Sequence, residues 1–346
     1  MITLAIIHRP RVKLGERYIY CNPYAKIKKD RVYKLRLWDT NWPVLANGEY
    51  LKYLERLVRD FQLIYPNIRV EIRLIAFGDE SNQLAAALKN NSAPDVYCSA
   101  FSIPDFNDER QVPVGFYLKR EEKEVYFNET RRLTTRYGVD YYFPRWLAPT
   151  IWVGNQYLFN ALNLSRPSIK SWYPLQELFA ASKILPKGKY FMVGNLGHNG
   201  LFPDLSVNAT VDRGAGSRFL PPNGAFESLR FLDELIMRRK TPPDFESNMV
   251  GRFLAGDALI LGGVRPIIYR FLKQKSAETP GQYKCEPILI PSPGVGGKKF
   301  LLTENGVVCV YRNKYTAGDD HITAAVKLGQ FISTYENTQP FQEMMF

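Results

Sequence analysis

The residues able to do chemistry in this 346-residue chain are gathered in a few places. Trp38-Asp39-Thr40-Asn41-Trp42 sets a carboxylate and an amide between two indoles. Indole faces suit stacking on sugars, peptides or bases, and suit core packing equally well. Asp39 could also form a carboxylate pair, with Asp79 or with Glu304, of the kind that cleaves glycosides. Other chemistries lack their patterns. Gly294-Val295-Gly296-Gly297-Lys298-Lys299 has the look of a phosphate loop, but Ser292 stands where glycine is needed and Lys299 where Ser or Thr is needed. Gly194-Asn195-Leu196-Gly197-His198-Asn199-Gly200 is not GxGxxG, and no GxSxG, HExxH or kinase signature is present. His8, His198 and His321 are scattered, and Cys21, Cys98, Cys285 and Cys309 form no CxxC pair. The expectation is therefore unpaired or buried thiols, with no metal, no cofactor and no catalytic residue.

Charge adds a second feature. The chain carries +12, and residues 1–36 hold ten Lys or Arg against Glu16 and Asp30, a net +8 that leaves +4 for the rest. The basic charge is thus assigned to an arm, residues 1–30, either solvated or facing an anionic partner. No run reaches the length of a membrane helix. MITLAIIHRPRVK is too short to be a complete signal peptide. The length suits two domains.

The elements that must position these residues follow from periodicity. Val32 to Trp38 alternates as a strand with Tyr33, Leu35 and Leu37 on one face. Glu49 to Tyr65 recurs helically through Leu51, Leu54, Val58 and Phe61, and Pro66 stops it. A strand over Asn67–Ala76, a helix over 82–90 and a strand over Val96–Cys98 complete a parallel β-α-β-α-β opening. Ligands in such sheets sit beyond the carboxyl ends of the strands, here Trp38 to Trp42, Phe77 to Glu80 and Ser99 to Phe101. From Pro144 to Leu178 the pattern reads strand, Gly154-Asn155 turn, short helix, loop and a helix opening near Trp172. A Gly-, Asn- and Pro-rich loop (194–224) and a helix (Phe226–Arg239) follow. A helix end then runs into a buried strand (Phe253–Gly263), and a strand (Gly306–Tyr311) and a helix (Ile322–Thr334) close the chain.

Four of these pieces stand in a telling order: Ala93-Pro94-Asp95-Val96, then Gly154-Asn155-Gln156-Tyr157-Leu158-Phe159 with Pro167 and Trp172, then Phe253 to Leu259 before Gly262-Gly263, then Pro291-Ser292-Pro293. This order resembles that of the extracellular solute-binding proteins of ABC importers, the maltose-binding-protein-like group, over about residues 32–345. Gly154 and Gln156 depart from the Tyr and Lys of the family pattern. The family begins with a signal peptide and continues past the helix at 322–334 with a further helical segment. A chain truncated at one or both ends, or a reduced second lobe, is the resulting expectation.

The resemblance implies an α/β, two-lobe periplasmic-binding-protein-like fold with a hinge and an interlobe ligand cleft. Lobe one would be 31–144 plus 294–346 and lobe two 145–293, with hinge passages at Pro144–Pro149 and Pro291–Gly294. It implies a monomeric, extracytoplasmic, membrane-tethered lipoprotein serving as the substrate-binding subunit of an ABC importer. Its partners would be permease subunits and a small solute, a mono- or oligosaccharide, with no nucleic acid. Closure would work by shifting a pre-existing equilibrium. A glycoside-active enzyme is the alternative. Carried over by position, the ligand-binding residues are Trp38, Asp39, Asn41, Trp42, Ser99, Phe101, Arg145, Trp146, Arg265, Glu304 and Asn305. Their aromatic faces would stack on sugar rings and their polar groups would bind hydroxyls. Arg265 would favour a carboxylate- or phosphate-bearing ligand. Asp95 is expected to set its turn, and Trp152 and Trp172 to pack.

Overall fold

The computed structural model describes residues 11–14, 17–42, 45, 48–99, 107, 109–126, 130–131, 134–164, 185–194, 230, 232–238, 241–242, 248–278, 281, 284–290 and 303–345. The chain divides into two compact units, Met1–Leu147 with Asn305–Met345, and Ala148–Glu304.

In chain order the first unit holds a hairpin of β1 (Arg11–Leu14) and β2 (Arg17–Tyr20), then β3 (Tyr33–Asn41), α1 (Glu49–Ile64), β4 (Ile68–Ala76), α2 (Glu80–Lys89) and β5 (Val96–Cys98). α3 (Arg120–Glu124), a small hairpin of β6 (Thr135–Arg136) and β7 (Val139–Asp140), and β8 (Tyr142–Pro149) follow. The second unit holds β9 (Ile151–Asn155), α4 (Gln156–Ala161), β10 (Tyr190–Gly194), α5 (Met249–Leu254), β11 (Ala258–Val264), α6 (Pro266–Glu278) and β12 (Pro287–Ile290). Beyond β13 (Thr303–Val310), α7 (Asp319–Ile332) and α8 (Tyr335–Met345) belong to the first unit.

The first unit's sheet has the order β4-β3-β5-β13-β8. β3 pairs in parallel with both β4 and β5, as its alternation and the intervening helices require, while β13 runs antiparallel to β5. Tyr33, Leu35 and Leu37 enter one core with Phe61, Val308 and Ile322. Trp38, of opposite parity, enters a second core on the other face with Ile75, Leu84 and Tyr97. The β-α-β-α-β opening is therefore as the periodicity indicates.

Two helices differ from expectation. In α1 the buried face is Tyr50, Tyr53, Leu54, Leu57, Val58 and Phe61, whereas Leu51 is 36% exposed. The reason lies in α8, which the sequence did not reveal because Pro340 and a polar run obscure its period. Phe341 of α8 packs against Trp42, Tyr50 and Tyr53 at ring separations of 5.8, 5.4 and 6.1 Å, and the Tyr53 hydroxyl donates to the Asn337 carbonyl at 2.5 Å. Those contacts recruit the tyrosine face of α1 into the interior.

Residues 21–30, expected as part of the basic arm, and Arg31 after them are pinned to this unit. Arg31 pairs with Asp320 at 2.8 Å, Thr323 Oγ1 donates to the Ala25 carbonyl, and the Asn67 amide donates to the carbonyls of Lys28 and Arg31. Asp95 serves the turn, as expected: it accepts from the Arg36 amide at 2.8 Å, from Asn313 Nδ2 at 2.8 Å, and lies 3.1 Å from His321 Nε2.

The second unit's sheet has the order β10-β11-β9-β12, with β10 and β11 parallel. β11 is buried along its whole length. Trp152, Phe159, Phe191 and Ile288 form one core, and Val153, Phe253, Leu261 and Leu272 another. A side chain at Gly154 would bring its Cβ within 2.7 Å of the Phe159 ring and 3.0 Å of Ile290, so the tyrosine of the family pattern has no room here. All four cysteines are buried free thiols. The helix opening near Trp172, the 194–224 loop beyond Gly194 and the Pro291–Gly294 passage lie outside the described residues. Among the described residues, no helix is long and apolar enough to cross a membrane, and no cluster of metal-ligating side chains occurs.

Candidate functional site

At the carboxyl end of β3 the chain turns from core packing to polar chemistry. Leu37 and Asp39 share a face, so Asp39 projects into the side of the sheet that α1 covers. Arg145 reaches the same place from β8. Its Nη1 donates to Asp39 Oδ2 at 2.9 Å and its Nη2 donates to the Tyr50 hydroxyl at 2.9 Å. The Tyr50 hydroxyl in turn donates to Asp39 Oδ2 at 2.6 Å, and the Thr40 amide donates to Asp39 Oδ1 at 2.7 Å. The Asp39 and Arg145 side chains are both 0% exposed. Burial alone would lower the Arg145 pKa, but the Asp39 carboxylate outweighs it and holds the guanidinium charged, well above its ordinary value. Burial drives the Tyr50 pKa well up, which keeps its proton in place for Asp39.

Aromatic rings close round this triad. The Phe341 ring lies 5.0 Å from the Arg145 guanidinium carbon, and the Trp42 and Trp146 rings meet edge to face at 6.4 Å. Trp146 also lies so close to the backbone of β13 that a Cβ on Gly306 would collide with its indole. Glycine is required at that crossing by space rather than by backbone angle. The start of β13 is itself at the carboxyl end of β5, because Ser99 exchanges hydrogen bonds with Val307 there: the Ser99 amide donates to the Val307 carbonyl and the Val307 amide to Ser99 Oγ.

Arg145 and Trp146 form part of the wall of a cavity of about 580 Å³ in this unit. Glu122, Tyr126 and Thr130 line it, with Tyr335 and Glu336 from the α7–α8 junction and Gln342 from further along α8. The Tyr126 hydroxyl shares a hydrogen bond with Ser333 Oγ at 2.8 Å, and burial pushes its pKa up to about 12. Burial would raise the Glu122 carboxyl, but hydrogen bonds from the Gln330 side chain and the Lys119 amide hold it below the usual range. The cavity thus offers tyrosine surface over a buried tryptophan, a carboxylate kept ionised, and several neutral amide and hydroxyl groups. That inventory suits a small polyhydroxylated molecule, and the volume falls within the size range of ordinary small-ligand sites.

The expected site residues separate into groups. Asp39, Trp42, Arg145 and Trp146 come together, with Arg145 and Trp146 at the cavity and Asp39 and Trp42 packed against them. Ser99 and Asn305 share the same strand end; both are buried, and Ser99 is spent on the β13 backbone. Asn41 is exposed beside them. Trp38 departs to the other face, with the Arg73 guanidinium 4.5 Å from its ring centre. Arg265 follows β11 in the second unit, half-buried at the start of α6. Phe101 and the side chain of Glu304 lie outside the described residues. The carboxylate pairing of Asp39 with Asp79 is not formed: Asp39 is engaged by Arg145, and Asp79 accepts from Gln83 Nε2 at 2.6 Å. Sequence reasoning missed Tyr126, Thr130 and Tyr335, since residues 102–143 show little period and α8 was unread. The Tyr335 to Gln342 stretch, with Phe341 at helical spacing from Thr334 and Thr338, carried the available signal.

No protein-family model matches this chain, and a search of curated proteins finds none that does. Solved structures do match. An ABC substrate-binding protein of Listeria monocytogenes in complex with cycloalternan superposes with a TM-score of 0.65 at 16% identity, covering 89% of this chain and 77% of that one. The maltose-bound MalE3 of T. maritima gives 0.66 at 18% identity, covering 88% and 78%. An ABC transporter solute-binding protein of Thermotoga lettingae bound with α-D-tagatose gives 0.67 at 16% identity, covering 90% and 80%. The chain therefore has the α/β, two-lobe periplasmic-binding-protein-like fold. The likeness expected from the order of its motifs holds at the level of that fold.

Proposed function

We propose that this chain is a solute-binding protein that takes up a carbohydrate in the first unit and delivers it to the permease subunits of an ABC importer outside the cytoplasmic membrane. The observation that carries the reading is the meeting of Arg145 and Trp146 at a cavity of about 580 Å³ in a chain with this fold. The neighbours in structure are binding proteins rather than enzymes. The burial and ion pairing of Asp39 weigh against an acid–base carboxylate there. In this reading Tyr335, 69% exposed on the rim, offers its ring face to the sugar and Trp146, 5% exposed, backs the wall behind it, while Glu122 and Gln342 bind hydroxyls. Asp39 and Trp42 do not touch the sugar but hold Arg145 and Trp146 in place.

A thermal-shift screen of mono- and oligosaccharides tests this. A ligand at about a hundred times its Kd should add roughly 2.7 kcal/mol of apparent stability. The sugar should be recovered unchanged after prolonged incubation. Tyr335→Ala should weaken binding about five- to tenfold while the unliganded melting temperature stays put. A cleaved sugar, or a Tyr335→Ala variant that binds like the parent, would sink the proposal as stated.

A further inference from the structure

The opposite pole of the first unit, at the amino ends of β3 and β4, carries a surface that the solute site does not use. We propose that it docks the protein on an anionic phospholipid bilayer. The argument begins with the backbone of residues 21–31, which is fixed by the hydrogen bonds from Thr323, Asn67 and Arg31 described above, and by Asn22 Nδ2 donating to Asp319 Oδ2 at 3.3 Å. From this fixed segment Lys26, Lys28 and Lys29 point into solvent. Lys34, in register with Arg69 of the neighbouring strand, extends the same charge across the sheet's end, and both are exposed. Among the described residues none of these five cations makes an ion pair. Of the nearby acids, Asp320 pairs with Arg31 and Asp319 lies 3.7 Å from Arg312, which leaves Asp30 in the segment and Glu71, two residues beyond Arg69 on β4, as exposed carboxylates beside the five cations.

The second observation is what lies between the lysines. Tyr24 is 86% and Val32 63% exposed, and at the end of α1, where the chain turns toward β4, Leu63 is 78% and Ile64 59% exposed. An aliphatic and aromatic fringe among lysines fits a bilayer interface, where rings and short apolar side chains enter the headgroup region while ammonium groups meet lipid phosphates. A nucleic acid would use the lysines but would have no call for exposed leucine and isoleucine beside them. Charge and apolar exposure together therefore select the membrane. The pole lies at the opposite end of the strands from the candidate solute site, so docking leaves that site uncovered.

Flotation of the full chain with phosphatidylcholine vesicles, with and without phosphatidylglycerol, tests this. Binding should require phosphatidylglycerol and weaken steeply with added salt. Lys26→Glu/Lys28→Glu/Lys29→Glu should lower the vesicle-bound fraction at least tenfold, and the Lys→Gln triple should lower it less. Tyr24→Ser/Val32→Ser should weaken binding about threefold at unchanged charge. Because these side chains are exposed, circular dichroism melts should match the parent. Equal binding to both vesicles, parent-like binding by the Lys→Glu triple, or capture of a duplex oligonucleotide without any vesicle binding would overturn the proposal.

Discussion

The two sheets of this chain face the same packing problem and fill their interiors with different chemistry. In the second unit, β11 is buried from Ala258 to Val264 and consists only of apolar residues and glycine. Its most deeply buried polar side chain among the described residues, Asn155, serves a local cap: Oδ1 accepts from the Tyr157 amide and Nδ2 donates to the Lys284 carbonyl. The first unit buries Asp39 and Arg145 on its strands, Asp95 just before β5 and His321 on the α7 helix packed against the sheet. An apolar core loses stability in proportion to the atoms removed, whereas a core holding charges is stable only while each charge keeps its partner. The candidate site sits in the unit that accepts this second, less forgiving arrangement.

The largest effect should come from separating the deepest pair. Arg145→Met leaves Asp39 buried without its cation and should cost about 3–5 kcal/mol in urea unfolding of the first unit. Asp39→Asn combined with Arg145→Met removes both charges and should recover much of that loss. A double-mutant cycle reads the coupling directly. If the double variant is as unstable as the sum of the singles, the two residues are not a unit and the contrast between the sheets loses its basis.

Next in size is the crossing of Trp146 over β13. Gly306→Ala places a methyl where the indole lies and should cost roughly 1–3 kcal/mol. It should also shift tryptophan emission, because Trp146 and its neighbour Trp42 are forced to move. Unaltered emission with unaltered stability would mean that the site wall tolerates displacement, and the aromatic closure would then be less specific than its geometry indicates.

These two positions also show what was legible in sequence. β3, β4 and β5 announce themselves because alternation over Tyr33, Leu35 and Leu37, and over Ile68 to Leu74, is a property of consecutive residues. The site is a property of distant ones. Asp39 and Arg145 were both named as candidates, but as ligand contacts, since nothing local says that residues 106 positions apart will neutralise each other. Gly306 reads as an ordinary strand glycine until Trp146 is placed on it. In α1 the period places Leu54, Val58 and Phe61 inward correctly and Leu51 not, because Tyr50 and Tyr53 become buried only when α8 supplies Phe341. Local periodicity thus gives the frame, while long-range pairing decides which polar residues are spent inside it.

Acid should separate the sheets as well. Burial would raise the Asp95 carboxyl, but His321, the Arg36 amide and Asn313 outweigh it, and its pKa lies below the ordinary value. A carboxylate whose pKa is lowered on folding contributes stability above its unfolded pKa, about 3.9, and loses it as pH falls through the folded value. Asp320 is lowered in the same direction by Tyr33 and Arg31 despite its desolvation. The first unit should therefore weaken below about pH 4, and Asp95→Asn should flatten that decline in melting temperature. Equal slopes for the parent and Asp95→Asn would assign acid sensitivity elsewhere.

The smallest effect belongs to the second sheet and sets the scale for the others. Asn155→Ala removes one cap from α4 and should cost about 1 kcal/mol, toward 2 because the side chain is fully enclosed. No charge is stranded by the change; what remains is an unmet amide at Tyr157 and an unmet carbonyl at Lys284. Chemical denaturation with a probe in the second unit checks it. A loss as large as that of Arg145→Met would show that a neutral buried polar group can be as unforgiving as a stranded charge, and the distinction between the two interiors would then rest on geometry rather than on charge.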